Sequence, residues 1–299
     1  MAHHHHHETS ARIGWAFFLN LTFTIIEFIG GVLTNSTAIM ADAVHDLGDT
    51  LSIGSAWLLD RVSRKEADHS FTYGYRRLSL LGALLNAVVL IAGSVWILFQ
   101  TVPRLLEPQM PHIEGMMGLA VLGVVMNGYA AYKLHGGQTL NEKVLNWHLI
   151  EDVMGWVAVM IVAIAMHFVN WPILDPLLSL LFTLFILFNV FRNLKSTVKL
   201  FFQAAPEKAI TREVSDKLQQ ISAIASIHHL HIWSLDGEHH IATLHAVVKC
   251  ESLDDYRSLK QQVADTLALF EFAHTTVEFE LLGEDCRDAA ASQSQSPSR

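Results

Sequence analysis

Long apolar runs separated by short polar intervals dominate the first two thirds of the chain. Six of them predict helices, over residues 13–33, 37–59, 78–102, 113–134, a fifth from between 140 and 144 to 169, and 173–191. The sixth run leaves an extension to 202 open. Each reaches the roughly 20 residues that a helix needs to cross a ~30 Å hydrocarbon core. Pro103 marks the end of the third run, and Gly136 and Gly137 follow the fourth. After Pro206 the pattern changes to that of a small α/β domain. It predicts a helix over 211–221 capped by Thr211, strands over 227–235 and 239–249, a helix over 253–270 and a strand over 275–282. Asp236-Gly237 between the first two strands is a hairpin signal. Ser252 and Asp255 are spaced for a capping box.

Composition narrows the class. Of 299 residues 51% are apolar, too many for an ordinary soluble protein, and the length of the runs indicates helices rather than a barrel. The formal net charge of -9 pools a membrane part with a polar part and decides little. Cys250 and Cys286 form neither a disulfide framework nor a Cys-x-x-Cys knuckle. No cleavable signal peptide is read at the N-terminus. His3 to His7 read either as a purification tag or as a native metal-collecting tail, and no site is assigned to them. The expected organisation is a His-rich tail over 1–10, a six-helix transmembrane domain over 11–205, a C-terminal domain over 206–283 and a disordered tail over 284–299.

Lysine and arginine set the expected orientation. The loop after the second helix carries Arg61, Arg64, Lys65, Arg76 and Arg77. The loop after the fourth has Lys133 and Lys143, and the exit of the sixth has Arg192, Lys195 and Lys199. The opposite loops offer only Arg104. Both termini are therefore expected in the cytoplasm.

Candidate chemistry lies inside the apolar runs. The second contains ADAVHDLGDT, with Asp42, His45 and Asp49 at i, i+3 and i+7 along one helical stripe and Asp46 off it. The fifth contains NWHLIEDVMGW, in which His148 and Asp152 repeat the four-residue spacing of His45 and Asp49. Ionisable groups in hydrocarbon are costly and point to function. Two His-x-x-x-Asp pairs supply two imidazole nitrogens and two carboxylates, a tetrahedral set for a zinc-like divalent cation. Asp42 is a candidate for the access path, Asp46 for a bond to a neighbouring helix, and Glu151 for either role. Asn20, Glu27, Asn86 and Asn127 read as packing or cavity groups.

The segments GVLTNSTAIMADAVHDLGD, FTYGYRRLSLLGALLNA, NWHLIEDVMG, DPLLSL, HHLHIWSLDGE and HTTVEFE, in this order, resemble the cation diffusion facilitator family. The resemblance runs from about residue 11 to 282 and is nearest to the bacterial zinc-exporting branch. It implies a six-helix transmembrane domain followed by an αββαβ cytoplasmic domain of ferredoxin-like, metallochaperone-like fold. It also implies a homodimer in the bacterial inner membrane. His45, Asp49, His148 and Asp152 match the family's transport site. His228, His245, His274 and Glu280 match a regulatory metal site in the C-terminal domain. Strand alternation turns His228 away from His229 and His231. Asp68 and His69 match a loop metal site in part, since some members carry His where Tyr75 stands. Cys286 lacks the partner cysteine of some relatives, so a sulfur site is not expected.

The reading that follows is a secondary transporter, not an enzyme, exporting Zn2+ in exchange for protons. Zn2+ is expected both as cargo and as regulatory ligand, with the lipid bilayer as surroundings and no nucleic-acid partner. The competing reading is an intramembrane zinc metallohydrolase. Such a site keeps three protein ligands and an open water position, whereas four ligands are available here and HExxH is absent.

Overall fold

The computed structural model describes residues 3–63, 65, 67–134, 140–206 and 208–288. The chain divides into two compact units, Met1–Lys195 and Ser196–Arg299.

The first unit is helical. Its elements are α1 (His3–Thr34), α2 (Thr37–Ser63), α3 (Leu78–Leu106), α4 (Ile113–Leu134), α5 (Leu140–Val169) and the start of α6 (Leu174–Phe201). Helix α1 packs on α2 and α4, α2 on α3, and α4 on α5. Five helices contain a stretch long and apolar enough to cross a membrane; α2 is the exception. Asp42, Asp46 and Asp49 interrupt its apolar run, so the helix with the most candidate chemistry is the least apolar.

Two departures from the expected boundaries have local causes. Helix α1 continues back to His3, beyond the apolar run. Helix α3 passes through Pro103 to Leu106. The proline lacks its own N–H, but its carbonyl still accepts the Glu107 N–H at 2.9 Å, so one more turn forms. That turn carries Arg104. Its guanidinium donates to the Asn35 carbonyl at 2.7 Å and to Asn35 Oδ1 at 2.6 Å. Asn35 sits at φ +56 in the turn between α1 and α2, a conformation that Asn tolerates better than most residues.

The N-terminus of α2 is capped from another helix. The Asp175 carboxylate of α6 accepts the Thr37 N–H at 2.8 Å, the Ala38 N–H at 3.3 Å, and the Ser36 and Thr37 hydroxyls at 2.5 and 2.8 Å. Asp175 is buried. A carboxylate here satisfies otherwise orphaned amides and faces the positive end of the helix dipole. The contact pins α2 to α6.

Apolar packing completes the unit. Met40, Ala41 and Val44 of α2 meet Ala87, Leu90 and Ile97 of α3 and Ile186 and Val190 of α6. Met116 and Ala120 of α4 meet Trp156, Val159 and Ala163 of α5. Gly123 permits this approach, since a Cβ there would lie 2.2 Å from the Trp156 ring.

The second unit follows the order α7 (Lys208–Gln219), β1 (Ile224–Ser234), β2 (His240–Val248), α8 (Leu253–Ala268) and β3 (His274–Leu281). The sheet order is β1-β2-β3. Strands β1 and β2 are antiparallel; β3 runs parallel to β2 after the α8 crossover. Ala242, Leu244, Ala246 and Val248 pack with Val214 and Leu218 of α7 and Leu259, Val263 and Leu267 of α8. Alternation therefore turns His245 to the face away from that core. The Ser252–Asp255 capping box opens α8 as expected. Thr211 does not cap α7: the helix starts at Lys208, and the Thr211 hydroxyl is buried with no partner among the described residues.

Simple alternation fails on β1. His228 pairs with His245 and His231 with Thr243, with a register shift between them. Three steps on β1 match two on β2, so one extra residue is bulged out. His229 takes φ +48 at this point. The bulge brings His228 and His231 to the same face, against the expectation that they oppose each other.

Candidate metal centre

His45 and Asp49 stand one turn apart on α2, and His148 and Asp152 one turn apart on α5. The four side chains converge. His148 Nε2 lies 3.1 Å from Asp49 Oδ2 and 3.7 Å from Asp152 Oδ2. His45 Nε2 lies 3.6 Å from Asp49 Oδ2 and 4.0 Å from Asp152 Oδ1. The imidazoles meet edge to face at 5.8 Å. Each histidine thus approaches the aspartate of its own helix and that of the other. A tetrahedral zinc with bonds of about 2.0–2.1 Å has donor–donor edges of roughly 3.3–3.4 Å. The observed spacings bracket that edge, so the set closes on such an ion with small side-chain shifts. Asp152 is buried, and its Oδ1 has no hydrogen-bond partner among the described residues. An orphaned carboxylate oxygen aimed into the cluster fits a cation there.

More acid surrounds this set. The Asp42 Oδ1 lies 3.5 Å from where a Cβ on Gly155 of α5 would stand. Asp46, off the stripe of His45 and Asp49, is buried as well. Asn20 donates to the Asp46 carbonyl at 3.1 Å and to the Thr50 hydroxyl at 2.9 Å, and Thr24 lies 3.3 Å from Thr50. Glu27 is wholly buried. Glu151 is exposed on α5 and stands apart. Asn86 bonds Ser52 across α3 and α2 at 2.7 Å. The part played by Asp175 was not visible from spacing, because its partners lie 137 to 139 residues away.

The loop candidates do not assemble. The Asp68 carboxylate accepts the Tyr75 hydroxyl at 2.6 Å and the Ser70 and Phe71 amides at 2.8 Å each. The Tyr75 bond first, and those amides after it, hold Asp68 below the usual carboxylate range. Asp68 is an anchor for the turn. His69 is exposed beside it, and among the described residues neither joins a three-ligand group.

A second cluster forms in the sheet unit from His228, His245, Glu280 and Cys286. His245 Nδ1 lies 2.7 Å from Glu280 Oε1, and His228 Nε2 lies 3.2 Å from Glu280 Oε2. The Cys286 sulfur is 3.6 Å from His245 Nδ1. Burial works to raise the Glu280 carboxyl, but the bonds to His245 and Cys286 and the charge of His228 outweigh it, leaving it below its ordinary value. His274 is not part of this cluster. It opens β3 opposite Ile241 and is exposed. Six strand steps separate it from Glu280, roughly 20 Å at the usual rise. Cys286 takes the fourth place because residues 284–288, expected to be disordered, turn back onto the sheet.

Five membrane-length helices and a His/Asp cluster of metal-ligand type define a multi-pass membrane protein with a candidate metal site. The model of the cation efflux transmembrane domain matches residues 15–202. The model of the cation efflux protein cytoplasmic domain matches residues 206–281. The metal cation efflux system protein CzcD of Cupriavidus metallidurans is 32% identical over 99% of this chain and 95% of its own. The zinc transporter ZitB of Escherichia coli is 31% identical over 96% of each. The cadmium, cobalt and zinc/H(+)-K(+) antiporter of Bacillus subtilis is 29% identical over 94% of this chain and 92% of its own. The chain belongs to the cation efflux, or cation diffusion facilitator, family: it is a cation efflux transporter of the membrane and not an enzyme.

Proposed function

We propose that this protein exports Zn2+ from the cytoplasm in exchange for protons, through His45, Asp49, His148 and Asp152. The observation that carries the reading is the interlocking of the two His-x-x-x-Asp pairs at spacings close to a tetrahedral zinc edge. These ligands bind metal only when deprotonated, so metal loading displaces protons and protonation releases metal. Imidazoles suit such a switch because their ordinary pKa lies near neutrality. Relatives named as zinc transporters and as a zinc/H(+)-K(+) antiporter support both cargo and exchange. In this reading α1 to α6 all cross the bacterial inner membrane, α2 included, since its carboxylates face the bundle rather than lipid. Both termini and the domain over 206–283 are cytoplasmic. Rocking of the helices about the fixed site exposes it to each side in turn. The protein works as a homodimer, and zinc at His228, His245, Glu280 and Cys286 of the cytoplasmic domain favours the active form. No geometric feature favours the metallohydrolase: the four side chains fill the shell and leave no water position.

The test uses sealed proteoliposomes with a trapped pH dye. Zinc movement in one direction should drive protons in the other, and an imposed pH gradient should accelerate or slow zinc flux according to its sign. Zinc transport without proton movement, and indifferent to the gradient, overturns the exchange.

A further inference from the structure

We propose that Cys286 is a thiol-exchange site that controls metal retention in the cytoplasmic domain: a small disulfide converts it to a mixed disulfide and frees the ion. The inference rests on the reading that the cluster of His228, His245, Glu280 and Cys286 holds a divalent cation.

His228, His245 and Glu280 stand on β1, β2 and β3, and ladder hydrogen bonds fix them. Cys286 stands outside the sheet. The chain leaves β3, reverses at Gly283 with φ +89, and is locked there by Glu284. The Leu281 N–H donates to Glu284 Oε2 at 2.8 Å, and the Glu284 N–H donates to the Leu281 carbonyl at 2.9 Å. The following residues form a strap across the site. Arg287 pairs with Glu278 at 2.6 Å, and Asp288 reaches His245 Nε2 at 3.7 Å. Arg287 is 72% exposed and Asp288 52%, so screened pairs of this kind fasten the strap weakly. Cys286 is therefore the donor held outside the sheet, on a strap fastened by exposed pairs.

The chemistry follows from the donor types. Three strand ligands leave a zinc-sized ion one position short of a closed tetrahedron, and a thiolate fills it. Cys286 is half-buried, within reach of a small molecule. Its sulfur attacks a disulfide RS–SR, forms Cys286–S–SR and expels RS⁻. The Cys286 sulfur is oxidised, the leaving sulfur is reduced, and the metal loses its thiolate. A dithiol reductant reverses the step. A reducing cytoplasm keeps the strap closed, and disulfide stress opens it. Cys250 packs against the apolar core of the domain, away from the cluster, and serves as the internal contrast.

The experiment uses full-length protein in a Cys250→Ser background, with zinc as metal and dithiobis-nitrobenzoate as disulfide. Zinc should slow modification of Cys286 at least about tenfold, since even outer-shell changes cost 10–100-fold in metal affinity. His245→Ala should abolish that protection while Asp152→Ala leaves it intact. Modification should release zinc equivalent to the share that His245→Ala removes, and reductant should restore it. If His245→Ala removes zinc but Cys286 reacts at one rate with or without metal, and Cys286→Ser binds zinc as tightly as Cys286, the thiol is no ligand and the proposal is wrong. If His245→Ala leaves zinc stoichiometry unchanged, the cytoplasmic site itself is absent and the proposal falls with it.

Discussion

In the helical unit all four candidate ligands come from two helices, in two pairs at four-residue spacing. In the sheet unit the four members come from β1, β2, β3 and the strap beyond it. Helical period alone brings His45 over Asp49 and His148 over Asp152, so only one tertiary event, the approach of α2 to α5, completes the membrane site. The sheet site needs a hairpin register, a bulge at His229, a parallel crossover and a turn at Gly283. The surroundings differ as well. Around the membrane site stand Asp42, Asp46 and Glu27, buried and without a lysine or arginine among them. Around the sheet site, Arg287 and exposed acids share the surface. Carboxylates placed in hydrocarbon are costly unless neutralised. In the second unit, His245 and Glu280 pair directly at 2.7 Å. That contrast suits a transport site in one unit and a reversible sensor in the other.

The comparison weakens if the membrane site does not depend on how α2 is held. Asp175→Ala should have the largest effect on the structure. It leaves the amides of Thr37 and Ala38 and two hydroxyls without their carboxylate in a buried setting. Each orphaned group costs about 1–3 kcal/mol, so a loss of about 3 kcal/mol or more is expected, with zinc flux falling at least about tenfold. Asp175→Asn, which keeps an acceptor oxygen, should retain more of both. Thermal unfolding in detergent and vesicle flux read the two effects. A wild-type melting temperature for Asp175→Ala would show that the interhelical cap carries little.

A smaller effect sharpens the other side. Ser252→Ala removes the capping box of α8, worth about 1 kcal/mol. Helix α8 backs the sheet without contributing a ligand. Its amides should exchange hydrogen about fivefold faster in the full chain, with zinc binding unchanged. Unaltered exchange would show that packing by Leu259, Val263 and Leu267 alone holds the helix.

These contrasts explain what was legible in the sequence. Apolar runs located α2 to α6 closely, and i,i+4 spacing picked out the four side chains that cluster between α2 and α5, because both are local regularities. The box at Ser252 and Asp255 was legible for the same reason. The end of α3 was not, since Pro103 tolerates one further turn once Arg104 has a partner at Asn35. Asp175 lies at the start of the sixth apolar run, and only its distant partners reveal a cap. His274 looked equivalent to a ligand by resemblance, but its register sets it opposite Ile241. Cys286 lay in a segment whose composition reads as disordered, and one glycine turn returns it to His245. Asp68 has a ligand's chemistry, yet the neighbouring amides and Tyr75 occupy its oxygens.

The central claim is that transport runs through the interlocked helical pairs while the sheet cluster only adjusts it. The most direct measurement is the initial rate of zinc uptake by proteoliposomes containing wild type, Asp152→Ala or His245→Ala, at equal amounts of folded protein and saturating zinc. Asp152→Ala should fall to the rate of empty vesicles, and His245→Ala should stay within about twofold of wild type. Wild-type flux in Asp152→Ala, or equal collapse in both variants, would contradict the account.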